Sequence, residues 1–267
     1  MAMADNLFQP EPFFIEFGQA YLHGDMLRPL DKVDDPPAVL FLHGADRSED
    51  RTVFNLLRQL LLSQYGLSSC AFDFLGHGST GGKWGCSTLQ ERTAQALDIV
   101  DACFDCQPFS IVGVGMGAYT ALKVVPEDSV SNLVLVTPAL YSPEVYETTL
   151  CEVFNQDAPD APKHWEQTDM WEVMQGFQGN VSIVAASQDQ MIPPEIATRL
   201  YSQAGVARER RVVEVPGSSH ALIAFANRHP AILSSLAGVI ANTCSLSEAQ
   251  EPRLFEGGFP VQDGQGY

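Results

Sequence analysis

From Phe13 onward the chain alternates short apolar runs with stretches whose apolar residues recur every three to four positions. Val39–Leu42, Ser69–Phe74, Phe109–Val112, Leu133–Val136, Val181–Val184 and Arg211–Val215 are short and rich in apolar or β-branched residues, the pattern of strands buried in a sheet. Between them lie helical patterns. Val53, Leu56, Leu57, Leu60 and Leu61 would share one face of a helix. Further helices are expected from Leu89 to about Cys103, from Met116 to a stop at Pro126, from Pro193-Pro194 onward, and from Ala231 to about Ala241. Ahead of all these, Phe13–Phe17 and Ala20–Leu22 read as a hairpin turning through Gly18. Strand–helix alternation after a leading hairpin predicts an α/β fold: a mostly parallel sheet with a leading antiparallel hairpin, covered on both faces.

Two segments fall outside this rhythm. Residues 141–179 form an insert rich in aromatics (Tyr141, Tyr146, Phe154, Trp165, Trp171, Phe177), which reads as a small helical cap over the C-terminal edge of the sheet. Residues 245–267 are polar, Gly-rich and aperiodic, a loosely held tail. Residues 1–244 are therefore expected to be one domain carrying the cap, a size that can bury a substantial core.

Charge narrows the partners. A net charge of −18 argues against nucleic acid and anionic membrane surfaces, both of which need basic patches. The opening Met1-Ala2-Met3-Ala4-Asp5 lacks the basic-then-apolar pattern of a secretory signal, and no apolar run approaches the roughly 20 residues of a membrane span. A cytoplasmic location is expected. The six cysteines lie scattered in apolar patterns, as reduced core residues do. Cys103 and Cys106 match C-x-x-C, but at the end of a helix rather than its start, and without a second pair to complete a zinc site. No metal or cofactor is expected.

A parallel sheet places ligands beyond the carboxyl ends of its strands, and the chemistry-bearing residues fall at those ends. His43-Gly44-Ala45 follows one strand and Asp73-Phe74-Leu75-Gly76-His77-Gly78-Ser79 the next. The glycines of the latter permit a sharp exit, and His77 reads as a turn residue rather than a base. Gly113-Val114-Gly115-Met116-Gly117-Ala118 comes third. It fits G-x-G-x-x-A, a dinucleotide fingerprint, yet the next strand ends in Thr137-Pro138 without the ribose-binding acid, and the motif sits far from the first strand. Asp189 lies four residues before a proline-opened helix, and His220 follows the last strand after Ser218-Ser219.

In this order, on these elements, the motifs resemble the α/β-hydrolase superfamily, and in particular its small bacterial esterase, thioesterase and acyl-peptidase-like branch. The resemblance covers roughly residues 12–241. Gly115-Met116-Gly117-Ala118-Tyr119 looks like that branch's S-M-G-A-Y nucleophile elbow with the serine replaced by Gly115. The resemblance implies a triad of the Gly115 position, Asp189 and His220, an oxyanion hole from the backbone N–H groups of Ala45 and Met116, and substrate contacts from His43, Tyr141, Trp165 and Trp171. The implied partner is a small-molecule acyl substrate or ligand, an ester, thioester or related compound. Losing the nucleophile of such a triad costs on the order of a millionfold in turnover. Three readings of Gly115 stay open: a disabled hydrolase, a binding protein reusing the pocket for a small apolar ligand, and base chemistry by His220 and Asp189 without a covalent step.

Overall fold

A computed structural model describes residues 9–154 and 165–245. The leading hairpin forms as β1 (Glu11–Phe17) and β2 (Ala20–Leu27), turning at Gly18 with φ +59°. Then come β3 (Val39–Leu42), β4 (Ser69–Phe72), β5 (Phe109–Val114), β6 (Val130–Val136), β7 (Asn180–Ala186) and β8 (Glu209–Val215). They form one eight-stranded sheet in the order β1-β2-β4-β3-β5-β6-β7-β8. β1 and β2 are antiparallel to each other, β2 is antiparallel to β4, and the rest run parallel.

Eight helices accompany the sheet among the described residues: α1 (Asn55–Tyr65), α2 (Leu89–Cys103), α3 (Met116–Val124), α4 (Leu150–Phe154), α5 (Met170–Gly176), α6 (Pro194–Gln203), α7 (Leu222–Asn227) and α8 (Pro230–Ser245). Alternate strand residues divide between two apolar layers, as the pleat requires. Leu40, Leu42 and Ile111 pack with α2, α3, α5 and α6, whereas Val39, Phe41 and Val112 pack with α1, α7 and α8. None of the helices is long and apolar enough to cross a membrane.

Sequence and structure part company on α1. Its buried face is Leu57, Arg58, Leu61 and Leu62, while Leu56 is 48% exposed. An arginine rotates the stripe. Buried Arg58 reaches from α1 onto the sheet, bonding the Asp25 carboxylate of β2 at 2.6 Å, Ser69 Oγ of β4 at 2.9 Å and the Ser69 carbonyl at 3.1 Å. A charge so well satisfied can occupy an apolar face, which periodicity counted on apolar residues cannot anticipate. The start of α2 carries a capping box: Thr88 Oγ1 accepts from the Glu91 N–H at 3.0 Å, and Glu91 Oε2 accepts from the Thr88 N–H at 3.1 Å. The C-x-x-C residues turn apart, with Cys103 buried beside Cys70 and Cys106 exposed past the helix end.

Within 141–179 the chain forms a short turn at Pro143–Val145, then α4 and α5. The tail expected from residue 245 lies, beyond Ser245, outside the described residues.

Candidate active site

The turn from β5 into α3 is built on crowding. A Cβ on Gly113 would lie 2.5 Å from the Gly117 carbonyl oxygen, and one on Gly117 would lie 2.2 Å from the Leu42 carbonyl oxygen. Only glycine lets strand β3 and helix α3 approach so closely. Between them, Gly115 has φ +54° and ψ −117°, with its N–H donating to the Val136 carbonyl at 2.9 Å. Its own carbonyl accepts from the Ala118 and Ala139 N–H groups, each at 3.1 Å. The turn is thus pinned from both neighbouring segments. A Cβ at residue 115 would have ordinary room: His220 Nε2 would be 3.7 Å away and Gly44 Cα 3.8 Å.

His220 is aimed there by its other nitrogen. Nδ1 bonds Asp189 Oδ2 at 3.0 Å, and Asp189 Oδ1 accepts from the backbone N–H groups of Met191 and Ile192 at 2.9 and 3.0 Å. The two loops are themselves joined, since the Gln188 N–H donates to the Ser218 carbonyl at 2.9 Å. Position 115, Asp189 and His220 thus meet at the carboxyl ends of β5, β7 and β8.

Gly115 and His220 open onto a cavity of about 1130 Å³, with Asp189 behind the imidazole and off the cavity wall. The volume is slightly above the usual range of roughly 300–1,000 Å³ for small-molecule sites. Ala45 and Met116 line it, Met116 being the first residue of α3, whose N–H has no acceptor within the helix. Tyr141 and Trp165 line it too, together with Phe154 and Trp84. Trp84 is locked in place: its Nε1–H donates to the Ala45 carbonyl at 2.8 Å, and the Arg47 guanidinium stacks on its ring at 4.3 Å.

Two residues expected as substrate contacts are not among the lining. Trp171 is buried at an edge-to-face distance of 6.4 Å from Trp165, with its Nε1–H on the Glu166 carbonyl. His43 is fully buried beneath the loop. Its Nε2 accepts the Phe74 N–H at 3.2 Å and its Nδ1 faces the Gly44 carbonyl at 3.0 Å, so the neutral ring staples the β3 and β4 exits together. Conversely, sequence reasoning overlooked Trp84, Arg47, Gln188 and Glu49, all on the cavity wall. The only signal for Glu49 was a polar run just after His43-Gly44-Ala45.

His77, as expected of a turn residue, is buried, its Nδ1 facing the Glu49 carbonyl at 3.0 Å. Asp73 organises the same turn by accepting from the Ser79 N–H at 2.8 Å. Burial first, then the Arg92 charge, holds the His43 pKa well below the histidine norm, and the same two causes lower His77 to about 4. Both histidines are therefore neutral in the fold and take up protons on unfolding. Their contribution is intact above the unfolded value of about 6.5 and is lost as pH falls toward the folded values. At pH 5, His77 alone is expected to cost about 2 kcal/mol of stability relative to pH 7. Urea midpoints between pH 7 and 5 check this, and His77→Gln is expected to flatten the decline.

The sequence of residues 39–182 matches the Alpha/beta hydrolase family, and the chain belongs to that family. No curated protein sequence matches it significantly. Among solved structures it is similar to a predicted CIB-like hydrolase from Thermoplasma acidophilum, with 14% identity over 88% of this chain and 99% of that one and a TM-score of 0.63. Est1E from Butyrivibrio proteoclasticus with ferulic acid bound gives 18% identity, 86% and 98% coverage and a TM-score of 0.66. The thioesterase domain from the curacin biosynthetic pathway gives 17% identity, 88% and 99% coverage and a TM-score of 0.63. At such identities the likeness is one of fold.

Proposed function

We propose that the cavity is an acyl site of the serine-hydrolase type in which Gly115 stands at the nucleophile position. It takes a carboxylic ester, a thioester or a related carbonyl compound, with the carbonyl oxygen toward the N–H groups of Ala45 and Met116 and the apolar part against Trp84, Phe154 and Trp165. Without a hydroxyl at residue 115 no acyl-enzyme forms, and the bound ligand is held rather than turned over covalently. The observation that carries this reading is the His220 ring, oriented by Asp189 and 3.7 Å from where a residue-115 Cβ would sit. A thioesterase domain and a protein with ferulic acid bound share the fold, which supports the choice of an acyl ligand.

A second reading keeps His220 as a base acting on water. It is favoured by the intact hydrogen bond from Nδ1 to Asp189, which simple binding does not require. One experiment separates the two. Trp84 and Trp165 report on the cavity, so a non-hydrolysable acyl mimic, 4-phenylbutanamide, is expected to change tryptophan fluorescence saturably, and His220→Ala is expected to shift its Kd by no more than about threefold. Absence of saturable binding overturns the acyl-site reading. Ester turnover by the unmodified chain that disappears in His220→Ala establishes the water-attack reading in place of passive binding.

A further inference from the structure

Glu49 has no part in a hydrolase triad, yet its carboxyl folds back onto the turn assigned to the acyl carbonyl. A Cβ on Gly44 would lie 2.9 Å from Glu49 Oε2, and the Gly44 Cα is itself 3.8 Å from the Cβ position of residue 115. Glu49, Gly44, Ala45, Gly115 and His220 all line the same cavity. The cavity wall near position 115 therefore carries both an imidazole and a carboxyl.

That carboxyl has company of both signs. Asp46 shares its loop, bonded to the Ser48 N–H at 2.8 Å and the Ser48 hydroxyl at 2.7 Å. The cation Arg47 is exposed and stacked over Trp84, and Asp50 caps the following turn by accepting from the Thr52 N–H. From α2, Arg92 donates to the His43 and Gly44 carbonyls at 2.8 and 3.1 Å. From the β4 exit, the His77 ring faces the Glu49 carbonyl, and from the β8 exit His220 faces the cavity. Burial, then Asp46, raises the Glu49 pKa, while His220, Arg92 and the Gly44 N–H work the other way.

An anionic ligand group placed at the oxyanion turn would meet this carboxylate a few ångströms away in a half-buried setting. Like charges so placed repel strongly enough to change affinity by about tenfold or more. A neutral carbonyl oxygen meets no such penalty.

We infer that Glu49 sets the charge specificity of the acyl end, admitting neutral carbonyl ligands such as esters, thioesters and amides and rejecting anionic isosteres until its carboxyl takes up a proton. The inference rests on reading the cavity as an acyl site. It has a chemical consequence there: the carboxylate product of any acyl hydrolysis would be held less tightly than the acyl compound from which it came.

The test titrates the full chain by tryptophan fluorescence with 4-phenylbutanamide and with 3-phenylpropane-1-sulfonate, which stays anionic throughout pH 5.5–8.5. At pH 8 the amide is expected to bind at least about tenfold more tightly than the sulfonate. Burial raises the Glu49 pKa, so the gap is expected to narrow as pH falls toward the range in which its carboxyl takes up a proton. In Glu49→Gln the sulfonate is expected to gain about tenfold at pH 8 and to lose most of its pH dependence. His220→Gln distinguishes the imidazole: if the pH dependence vanishes there and persists in Glu49→Gln, His220 is the charge that matters and the inference falls. Equal binding of amide and sulfonate to the unmodified chain at pH 8 also overturns it, while leaving the acyl site standing. If neither ligand binds, the acyl-site reading itself fails. The comparison in the unmodified chain needs no variant, so a poorly folding Glu49→Gln does not shelter the inference.

Discussion

Gly115→Ser is expected to turn this chain into a working esterase, with kcat/KM for p-nitrophenyl esters at least about a thousandfold above the unmodified protein. The added Cβ enters ordinary van der Waals space, 3.7 Å from His220 Nε2 and 3.8 Å from Gly44 Cα. A hydroxyl on that carbon lies within reach of the imidazole, whose far nitrogen is already bonded to Asp189 at 3.0 Å. Ala45 and Met116, the first residue of α3, line the cavity, and on the proposed reading their N–H groups would receive the oxyanion. The rate gain has a structural cost. With φ at +54°, a side chain at residue 115 is strained by about 1–3 kcal/mol, so the melting temperature is expected to fall by a few degrees. Loss of stability together with gain of activity is the signature of a nucleophile placed on a strained turn. An acetate-to-octanoate panel on Gly115→Ser, and on Gly115→Ser combined with His220→Ala, measures the gain and its dependence on the base. A folded Gly115→Ser protein that is silent across the panel and unlabelled by a fluorophosphonate probe would defeat the hydrolase-type reading.

Gly117→Ala is expected to be far more damaging than its single methyl group suggests. The new carbon would sit 2.2 Å from the Leu42 carbonyl oxygen and 2.7 Å from that of His43, and both contacts are backbone. Neither can rotate away, so α3 must move off β3 and open the packed layer above Leu42. A loss of roughly 3 kcal/mol is expected, or about 6–12 °C in melting temperature for a domain of this size. Gly176→Ala is the control: nothing lies within 4 Å of its Cβ position on the exposed end of α5, and it is expected to melt within about a degree of the parent. Placed on Gly115→Ser, the Gly117→Ala change is expected to abolish the new activity even in the fraction that stays folded, because the shift of α3 carries the Met116 N–H with it. If Gly117→Ala melts like the parent, the close approach of β3 and α3 described here is wrong.

The order of elements and the strand ends that carry Gly115, Asp189 and His220 were legible from residues alone. Apolar runs and turn glycines are local signals, and a parallel sheet lines up its strand ends without being told which residues they bear. The crowding at Gly113 and Gly117 was legible for the same reason, since only a tight strand-to-helix turn demands two such glycines. The six residues of α7 passed unnoticed because Leu222–Asn227 is too short to show a period.

What tertiary structure alone decided was where polar side chains point. Arg58 took a place in the apolar stripe of α1 because Asp25, more than thirty residues earlier, waits beneath it. His43 was drawn into the wall between β3 and β4 by the Phe74 N–H, and Trp171 was packed behind Trp165 instead of beside the cavity. Glu49 came to lie against Gly44, and so on the cavity wall, only because its loop folds back over that glycine. Each of these placements is set by a partner distant in sequence. A period of two or 3.6 records which face of an element meets the core, whereas the direction of a buried charge or ring depends on which donor or acceptor the finished fold brings within about 3 Å of it.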